Sequence, residues 1–217
     1  MRPIFTCLLM LLPLVSPLAF AQTSTPATTA SAFLQLRVDD PSPGAPNGRA
    51  LMQMASLLDS ELTCLLGTAS RYRDAFSAAI PDETPPLADA DLFSSHASGF
   101  NQFMPAAPVI TAGRARIGVN LKHSGSNSEE AREWNDEIVL RQLKQRWLIQ
   151  DIEFHGDFPG ARSGSLIAML RHTLANPDPR AGWDAAELKG CPSPEPAKKA
   201  SKPKTPTKPA RKPAARR

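Results

Sequence analysis

The sequence predicts an α+β domain in which N-terminal helices pack on a bent antiparallel sheet of about four to six strands. Three consecutive segments between residues 115 and 154 alternate apolar with polar side chains, which is the period of half-buried strands. Short polar connections separate these segments, so neighbouring strands are expected to pair as hairpins. Before them, apolar residues between positions 50 and 79 recur at steps of three and four, which indicates helix.

The three predicted strands have the sequences ARIGVNLKH, EWNDEIVLRQ and RWLIQDIEF. In the third strand Trp147 and Ile149 share a face, whereas Ile152 lies an odd number of residues from both. One extra residue near Gln150 and Asp151 would restore the alternation, so we predict a β-bulge there. A bulge at this position would bend the sheet.

The helical region between residues 50 and 79 contains two interruptions. Asp59 and Ser60 are residue types that begin helices, and Gly67 lowers helix propensity. One long helix and two consecutive helices therefore both fit the pattern. Further helices are predicted at residues 33–38, where an alternating strand pattern also fits, at residues 165–174 and at residues 183–188.

The segment from residue 81 to residue 108 shows neither period and is predicted to be a long ordered loop. Loops of this length are uncommon in compact domains unless they have a function. Asp89 and Asp91 could hold a cation, but calcium loops supply more oxygen ligands at more regular spacing. We therefore expect these two residues to cap backbone groups or to contact a partner.

The first 21 residues have the features of an export signal. Arg2 provides a positive charge, residues 8–20 are largely apolar, and Ala19-Phe20-Ala21 has the small-x-small form that precedes a cleavage site. The apolar run is short and contains two prolines, which disfavours a membrane anchor. We expect a periplasmic or secreted protein with a disordered spacer over residues 22–30 and no transmembrane segment after signal removal.

The basic residues are concentrated at the C-terminal end. Nine Lys and Arg residues and no acidic residue follow Ala197. Without these nine residues and Arg2, the chain has fifteen basic and 21 acidic residues, which gives a net charge of about −6. The folded domain is predicted over residues 31–190, followed by a disordered tail rich in Lys, Pro and Ala over residues 191–217.

The tail is expected to attract polyanions, such as an anionic envelope surface, through release of counterions. It contains no aromatic residue on which bases could stack, so sequence-specific nucleic-acid binding is not expected. Its basic residues are Lys198, Lys199, Lys202, Lys204, Lys208, Arg211, Lys212, Arg216 and Arg217.

The cysteines predict one covalent cross-link. Cys7 lies in the predicted signal, which leaves Cys64 and Cys191 in the exported chain. In an oxidising compartment two cysteines permit a single intramolecular bridge. We therefore predict a disulfide between Cys64 and Cys191.

Five segments within residues 31–175 carry a family resemblance: LLDSEL, PDETPPLADADLFSS, EWNDEIVL, RWLIQDIEFHGDF and GSLIAMLR. Together with the order of helices before a bent antiparallel sheet, they resemble the cone-shaped nuclear transport factor-like superfamily, and within it a family of exported bacterial domains of unknown function. The resemblance implies the cone fold but no catalytic residues. The superfamily includes isomerases, dehydratases, subunit-association domains and toxin-neutralising immunity proteins, so the fold hardly constrains function.

Enzymes of this superfamily place an acid or a base in an apolar pocket, where burial raises the pKa of a carboxyl group. The candidates in this sequence are Asp136, on the predicted buried face of its strand, Asp151 beside the predicted bulge, and Tyr72 on a helix. The alternative is that these carboxylates pair with arginines or cap backbone groups.

The remaining candidates for a pocket or an interaction site are Asp89, Asp91, Trp134 and Trp147. Both tryptophans are expected in the core, where they could pair across the hairpin and stabilise it by about 0.5–1.5 kcal/mol.

The four histidines are scattered and no nucleophile, phosphate-loop or dinucleotide motif is present, so neither a metal site nor a cofactor is expected. The sequence favours a non-enzymatic binding or interaction domain for an unidentified protein or small molecule. Toxin neutralisation by a negatively charged face is one version. The alternative is a small-molecule lyase or isomerase that uses Asp136 or Asp151 with Tyr72.

Overall fold

The computed structural model describes residues 24–125 and 130–193 of the 217-residue chain. The helices are α1 (Pro26–Asp39), α2 (Gly48–Met54), α3 (Ser60–Ala79) and α4 (Leu166–Ala175), followed by two short 3₁₀-helices, Pro179–Ala181 and Ala185–Gly190. The strands are β1 (Gln102–Pro105), β2 (Val109–Thr111), β3 (Arg114–His123), β4 (Arg132–Leu143), β5 (Arg146–Phe154) and β6 (Gly164–Ser165). The predicted combination of helices with an antiparallel sheet is confirmed.

Two predicted segments lie outside the described residues. They are the export signal over residues 1–21 and residues 194–217, which include all nine basic residues of the predicted tail. Within the described ranges no helix combines the length and the apolar character needed to cross a membrane.

The strands form one antiparallel sheet in the order β1-β3-β4-β5-β6, with β2 also paired to β3. The three strands predicted between residues 115 and 154 correspond to β3, β4 and β5 within one residue at each end. Val139 pairs with Asp151 and Leu140 pairs with Ile149, which leaves Gln150 as an extra residue on β5. The predicted bulge is therefore confirmed at Gln150.

β1 and β2 share one edge of the sheet, where each pairs with a different part of β3. Ala112 and Gly113 form the turn between β2 and β3, and their φ angles are 49° and 76°. Positive φ at both positions is the geometry of a type I′ turn, whose twist suits a hairpin. The sequence did not reveal this hairpin because Ala is uncommon at positive φ.

α1 begins inside the segment that was predicted to be a disordered spacer. The Thr25 side chain accepts a hydrogen bond from the Thr28 backbone N–H at 3.1 Å, and Pro26 occupies the first turn. Ala30 and Phe33 are fully buried. The prediction of a disordered spacer is wrong from Pro26 onward. Composition did not predict this helix, because the helix face that packs on the sheet is only weakly hydrophobic.

The helical region after α1 is divided at Asp59. The Asp59 side chain accepts the Glu61 backbone N–H at 3.0 Å as the N-cap of α3, so α2 and α3 are separate helices. The same buried carboxylate accepts a hydrogen bond from Nε of Arg141 on β4. Asp59 therefore both begins α3 and ties it to the sheet.

The core lies between the helices and one face of the sheet. Trp134 pairs with Leu121 and Trp147 pairs with Gln142, and both tryptophans are buried. The expected core positions are confirmed, but the pairing of the two indoles across the hairpin is wrong. Trp147 pairs with Gln142, which lies eight residues along β4 from Trp134, so the indoles lie at opposite ends of the sheet.

The predicted disulfide joins Cys64 on α3 to Cys191 after the last 3₁₀-helix, with a Cα–Cα distance of 5.5 Å. Beside it, Nη2 of Arg171 on α4 lies 2.5 Å from Oε1 of buried Glu61 and donates to the Pro192 carbonyl at 2.6 Å. The C-terminal end of the described domain is thus attached to α3 and to α4.

Replacing Cys64 and Cys191 together by serine should lower the free energy of unfolding by about 4–5 kcal/mol, because the bridge closes a loop of 127 residues and restricts the unfolded chain. Urea unfolding of a chain that begins at Gln22, and so lacks Cys7, measures the difference. Thiol labelling of the oxidised, denatured wild type should find no free thiol. Two reactive thiols, or a dimer that dissociates on reduction, would contradict the bridge.

Candidate functional site

Residues 91–99 form a loop that packs between α1 and β4, and we refer to them as the buried loop. Residues 92–95 are all buried. The Phe93 ring meets Phe33 of α1 edge to face, with centroids 5.5 Å apart. Since buried backbone groups require hydrogen-bond partners, this loop depends on polar groups that the domain supplies inside its core.

Asp136 on β4 provides the central anchor of the buried loop. Its Oδ2 accepts the Ser95 backbone N–H at 2.8 Å and the Trp134 Nε1–H at 3.0 Å. Its Oδ1 accepts the His155 backbone N–H at 2.9 Å and the Ser95 hydroxyl. A carboxylate offers about four acceptor positions, so the side chain, which belongs to a residue only 2% exposed, is fully engaged within the domain.

Arg162 and Asp91 hold the first half of the buried loop. Nη1 of Arg162 donates to the carbonyls of Asp91 and Ser94 at 2.5 and 2.8 Å. The Asp91 carboxylate accepts the Phe93 backbone N–H at 2.5 Å and lies 3.6 Å from Nη2 of Arg37. Burial raises the pKa of Asp91, and the positive charge of Arg37 opposes this shift.

Asp89 and Asp91, the two candidate aspartates of the predicted loop over residues 81–108, differ in exposure. Asp91 caps loop backbone, one of the two roles expected for it, and at 5% exposure it offers almost no surface to a partner. Asp89 is exposed. No group of three or more His, Cys, Asp and Glu side chains that could hold a metal ion occurs in the part of the chain that the structure describes.

His96 of the buried loop stacks between two other rings. Its centroid lies 5.2 Å from Trp134 and 5.3 Å from His123, with interplanar angles of 26° and 25°. Phe158 lies 5.5 Å from His96, and the guanidinium carbon of Arg132 lies 4.7 Å from the Phe158 centroid. We call these five residues the ring cluster.

The ring cluster packs the half-exposed side of the buried loop against the ends of β3 and β4. Each aromatic pair contributes about 0.5–1.5 kcal/mol beyond burial of its area. Sequence reasoning missed the cluster because its members come from separate segments, so the histidines have no informative spacing. The indole N–H of Trp134 donates a hydrogen bond to Asp136, so the ring cluster is linked to the residue that anchors the buried loop.

Asp151 lies on the opposite face of the sheet from Asp136. It pairs with Val139, whose side chain alternates in direction with that of Asp136 along β4. Its Oδ1 accepts the backbone N–H groups of Ile152 at 2.8 Å and Ile167 at 3.0 Å, so it caps the start of α4. Burial raises the pKa of Asp151, and the hydrogen bond from Ile167 opposes this shift.

Tyr72 is buried on α3 and faces the C-terminal segment. Its hydroxyl accepts the Asp178 backbone N–H at 3.0 Å, and its ring centroid lies 5.4 Å from that of Trp183. Tyr72, Asp136 and Asp151 therefore use their polar atoms in three different parts of the fold. The alternative expected from the sequence, that the two carboxylates cap backbone groups, describes both of them.

The described residues include five large hydrophobic side chains that are exposed, and four of these lie on strands. They are Met104, Val109, Ile110 and Leu143, at 67, 67, 54 and 49% exposure. Residues 101–113, which contain three of the four, include no charged side chain. Sequence analysis did not identify this stretch as a surface, because it assigned residues 81–108 to a loop and predicted the first strand only from residue 115.

Val109, Ile110 and Leu143 lie at the same end of the sheet. The Gly113 carbonyl, in the turn after β2, accepts the N–H of Gln142, the neighbour of Leu143, at 2.8 Å. The turn between β2 and β3 therefore lies beside the turn between β4 and β5. Exposed cationic residues lie in or directly beside the same two turns. We call the whole group the sheet-end patch: Val109, Ile110, Leu143, Arg114, Lys144 and Arg146.

No family model, no curated protein and no solved structure matches this chain.

Replacing Asp136 by Asn should destabilise the domain, because the new amide NH₂ would face N–H donors in place of an acceptor. Two buried donors left without partners cost about 1–3 kcal/mol each, so we expect a loss of about 2–6 kcal/mol. Urea unfolding measures it. Asp89→Asn, at an exposed position, is the matched control and should change stability by less than about 0.5 kcal/mol. An Asp136→Asn protein as stable as wild type would contradict the anchor.

Replacing Asp151 by Asn should stabilise the domain at neutral pH, since Oδ1 can still accept both backbone N–H groups while the desolvated charge is removed. The raised pKa means that folded Asp151 binds its proton at a higher pH than unfolded Asp151 does. Wild type therefore gains stability as pH falls through that raised pKa toward the ordinary value of 3.8, and the advantage of Asp151→Asn shrinks over the same window.

Thermal unfolding of both proteins from neutral to acid pH measures this difference. Asp157→Asn, at an exposed position beyond β5, serves as the control. An Asp151→Asn advantage that is constant with pH, or that grows toward acid pH, would show that the charge of Asp151 is not its origin.

Proposed function

We propose that this chain is an exported, non-enzymatic interaction domain of the bacterial envelope that binds its partner through the sheet-end patch. The observation that carries the proposal is the group of exposed apolar residues at one end of an uncharged strand edge. Exposed apolar clusters on soluble domains commonly mark surfaces that bind another molecule.

The hydrogen bonds of Asp136 favour a binding domain over a lyase or isomerase. A catalytic base needs an oxygen that can reach the substrate, whereas both Asp136 oxygens already accept two hydrogen bonds each. Asp151 is engaged at the start of α4, and Tyr72 is engaged with the C-terminal segment. A pocket enzyme built on these residues would have to break contacts that hold the fold together.

Membership of the nuclear transport factor-like superfamily is part of the proposal, supported by helices packed on a bent antiparallel sheet. Within that superfamily, toxin neutralisation by an acidic face is a narrower version. The cationic residues of the sheet-end patch favour an anionic partner instead. The predicted basic tail adds a second, less specific attraction for polyanions, which should weaken steeply as salt is raised.

Photocrosslinking in intact cells tests the proposal. A photoreactive amino acid at Val109 should form adducts, because this side chain is 67% exposed within the proposed surface. The control position is Gln102, which is exposed on the same edge but pairs with Lys122, near the other end of β3. The measurement is the amount of adduct at each position, whatever the chemical class of the crosslinked molecule.

Adducts at Val109 that exceed those at Gln102 would support an interaction domain. Equal labelling at the two positions would overturn the proposed surface. Deleting residues 197–217 separates the contribution of the tail, since adducts lost only with the tail would assign the binding to it.

A further inference from the structure

The sheet-end patch has the opposite charge to the rest of the chain around it. Outside residues 1–21 and 191–217, the chain has 20 acidic and 15 basic residues, an acidic excess of five. At the patch, however, Arg114, Lys144 and Arg146 are all exposed. Nearby carboxylates are paired with other arginines: Asp59 with Arg141, and Glu137 and Glu153 with Arg116. The patch therefore presents three apolar side chains and three cationic side chains to solvent.

The apolar side chains of the patch lie beside two adjacent turns at the end of the sheet. Val109 and Leu143 are on the face of the sheet opposite the core, since their alternation places them with exposed Arg116 and half-buried Arg141. Ile110 points to the other side but remains 54% exposed. Side chains at the tips of paired hairpins can enter a surface without moving the rest of the domain.

The strand edge itself is poorly suited to pairing with another strand. Pro105 ends β1 and Pro108 precedes β2, and neither residue has a backbone N–H to donate. Prolines on an edge strand are a common protection against edge-to-edge pairing. A second copy of this chain joined through β1 and β2 is therefore disfavoured.

The start of the described chain lies at the same end of the domain. The Ser24 hydroxyl accepts the backbone N–H of Trp147, the neighbour of Arg146 in the patch, at 2.9 Å. The described chain therefore begins beside the patch, and the predicted signal, with its largely apolar residues 8–20, precedes this point in the sequence.

We infer that the sheet-end patch binds the surface of an anionic phospholipid bilayer, a conclusion that rests on the proposed role of the patch as the interaction surface. Val109, Ile110 and Leu143 enter the region between headgroups and acyl chains, while Arg114, Lys144 and Arg146 contact lipid phosphates. Exposed apolar side chains next to cationic ones are a combination that peripheral membrane binding uses. Each Lys or Arg near an anionic surface adds to the attraction.

Tryptophan fluorescence with brominated lipids tests this inference. Val109→Trp in the chain that begins at Gln22, after the predicted signal, should be quenched by vesicles of equimolar phosphatidylglycerol and brominated phosphatidylcholine, and much less by brominated phosphatidylcholine alone. Gln102→Trp is the matched control. Its register partner lies six residues along β3 from that of Val109, which corresponds to about 20 Å. The difference between the two positions reports the orientation of the domain, and attraction through the basic tail alone would not produce it.

A triple variant, Arg114→Gln, Lys144→Gln and Arg146→Gln, should bind the anionic vesicles about 100-fold more weakly in co-sedimentation. The tail is unchanged in this comparison. All three positions are exposed, so the variant should still fold, and its circular dichroism spectrum checks this.

Equal quenching at positions 109 and 102, or no quenching by anionic vesicles, would overturn the inference. A dimer in size-exclusion chromatography that Val109→Ser dissociates would assign the patch to a second copy instead. If position 109 crosslinks to a protein in cells but is not quenched by lipid, the interaction surface stands and the bilayer is the wrong partner. If position 109 forms no adducts at all, the proposed interaction surface is itself wrong, whatever the lipid experiment shows.

Discussion

The carboxylate of Asp136 lies inside the domain, where an uncompensated negative charge would be strongly unfavourable. Four donors surround it, two from Ser95 and one each from Trp134 and His155. These donors belong to the buried loop, to β4 and to the residues just after β5. One charge therefore holds three parts of the chain together, and the buried loop and the ring cluster both depend on it.

The same arrangement explains why a residue with the profile of a catalytic acid is structural here. A buried aspartate on an apolar strand face is what a superfamily enzyme would use, and burial alone does not distinguish the two roles. The number of hydrogen-bond donors around the carboxylate distinguishes them. Two hydrogen bonds to each oxygen leave little capacity for a substrate, whereas a general base keeps at least one oxygen for its reaction.

The polar and apolar surfaces of the domain are distributed unequally. Ion pairs on α3, α4 and the C-terminal segment join these parts of the chain to each other, and a disulfide reinforces them. At the sheet end, in contrast, large apolar side chains remain in contact with solvent beside exposed cations.

The sequence by itself determined the local elements of this protein. Alternation predicted β3, β4 and β5 and the bulge at Gln150, because the side chains of a strand point to its two faces in turn whatever lies beyond them. Capping residues indicated that the helical region could divide near Asp59, although one long helix also fitted the pattern. The two cysteines outside the predicted signal allowed a single intramolecular bridge.

Only the tertiary structure decided which strands α1 packs on, which end of the sheet each tryptophan occupies, and what Asp136 contacts. These depend on contacts between residues far apart in the chain, such as Ser95 with Asp136 and His96 with His123. Neither composition nor spacing records such contacts. The exposure of Val109 and Ile110 is of the same kind, because an apolar strand residue is buried or exposed according to what covers it.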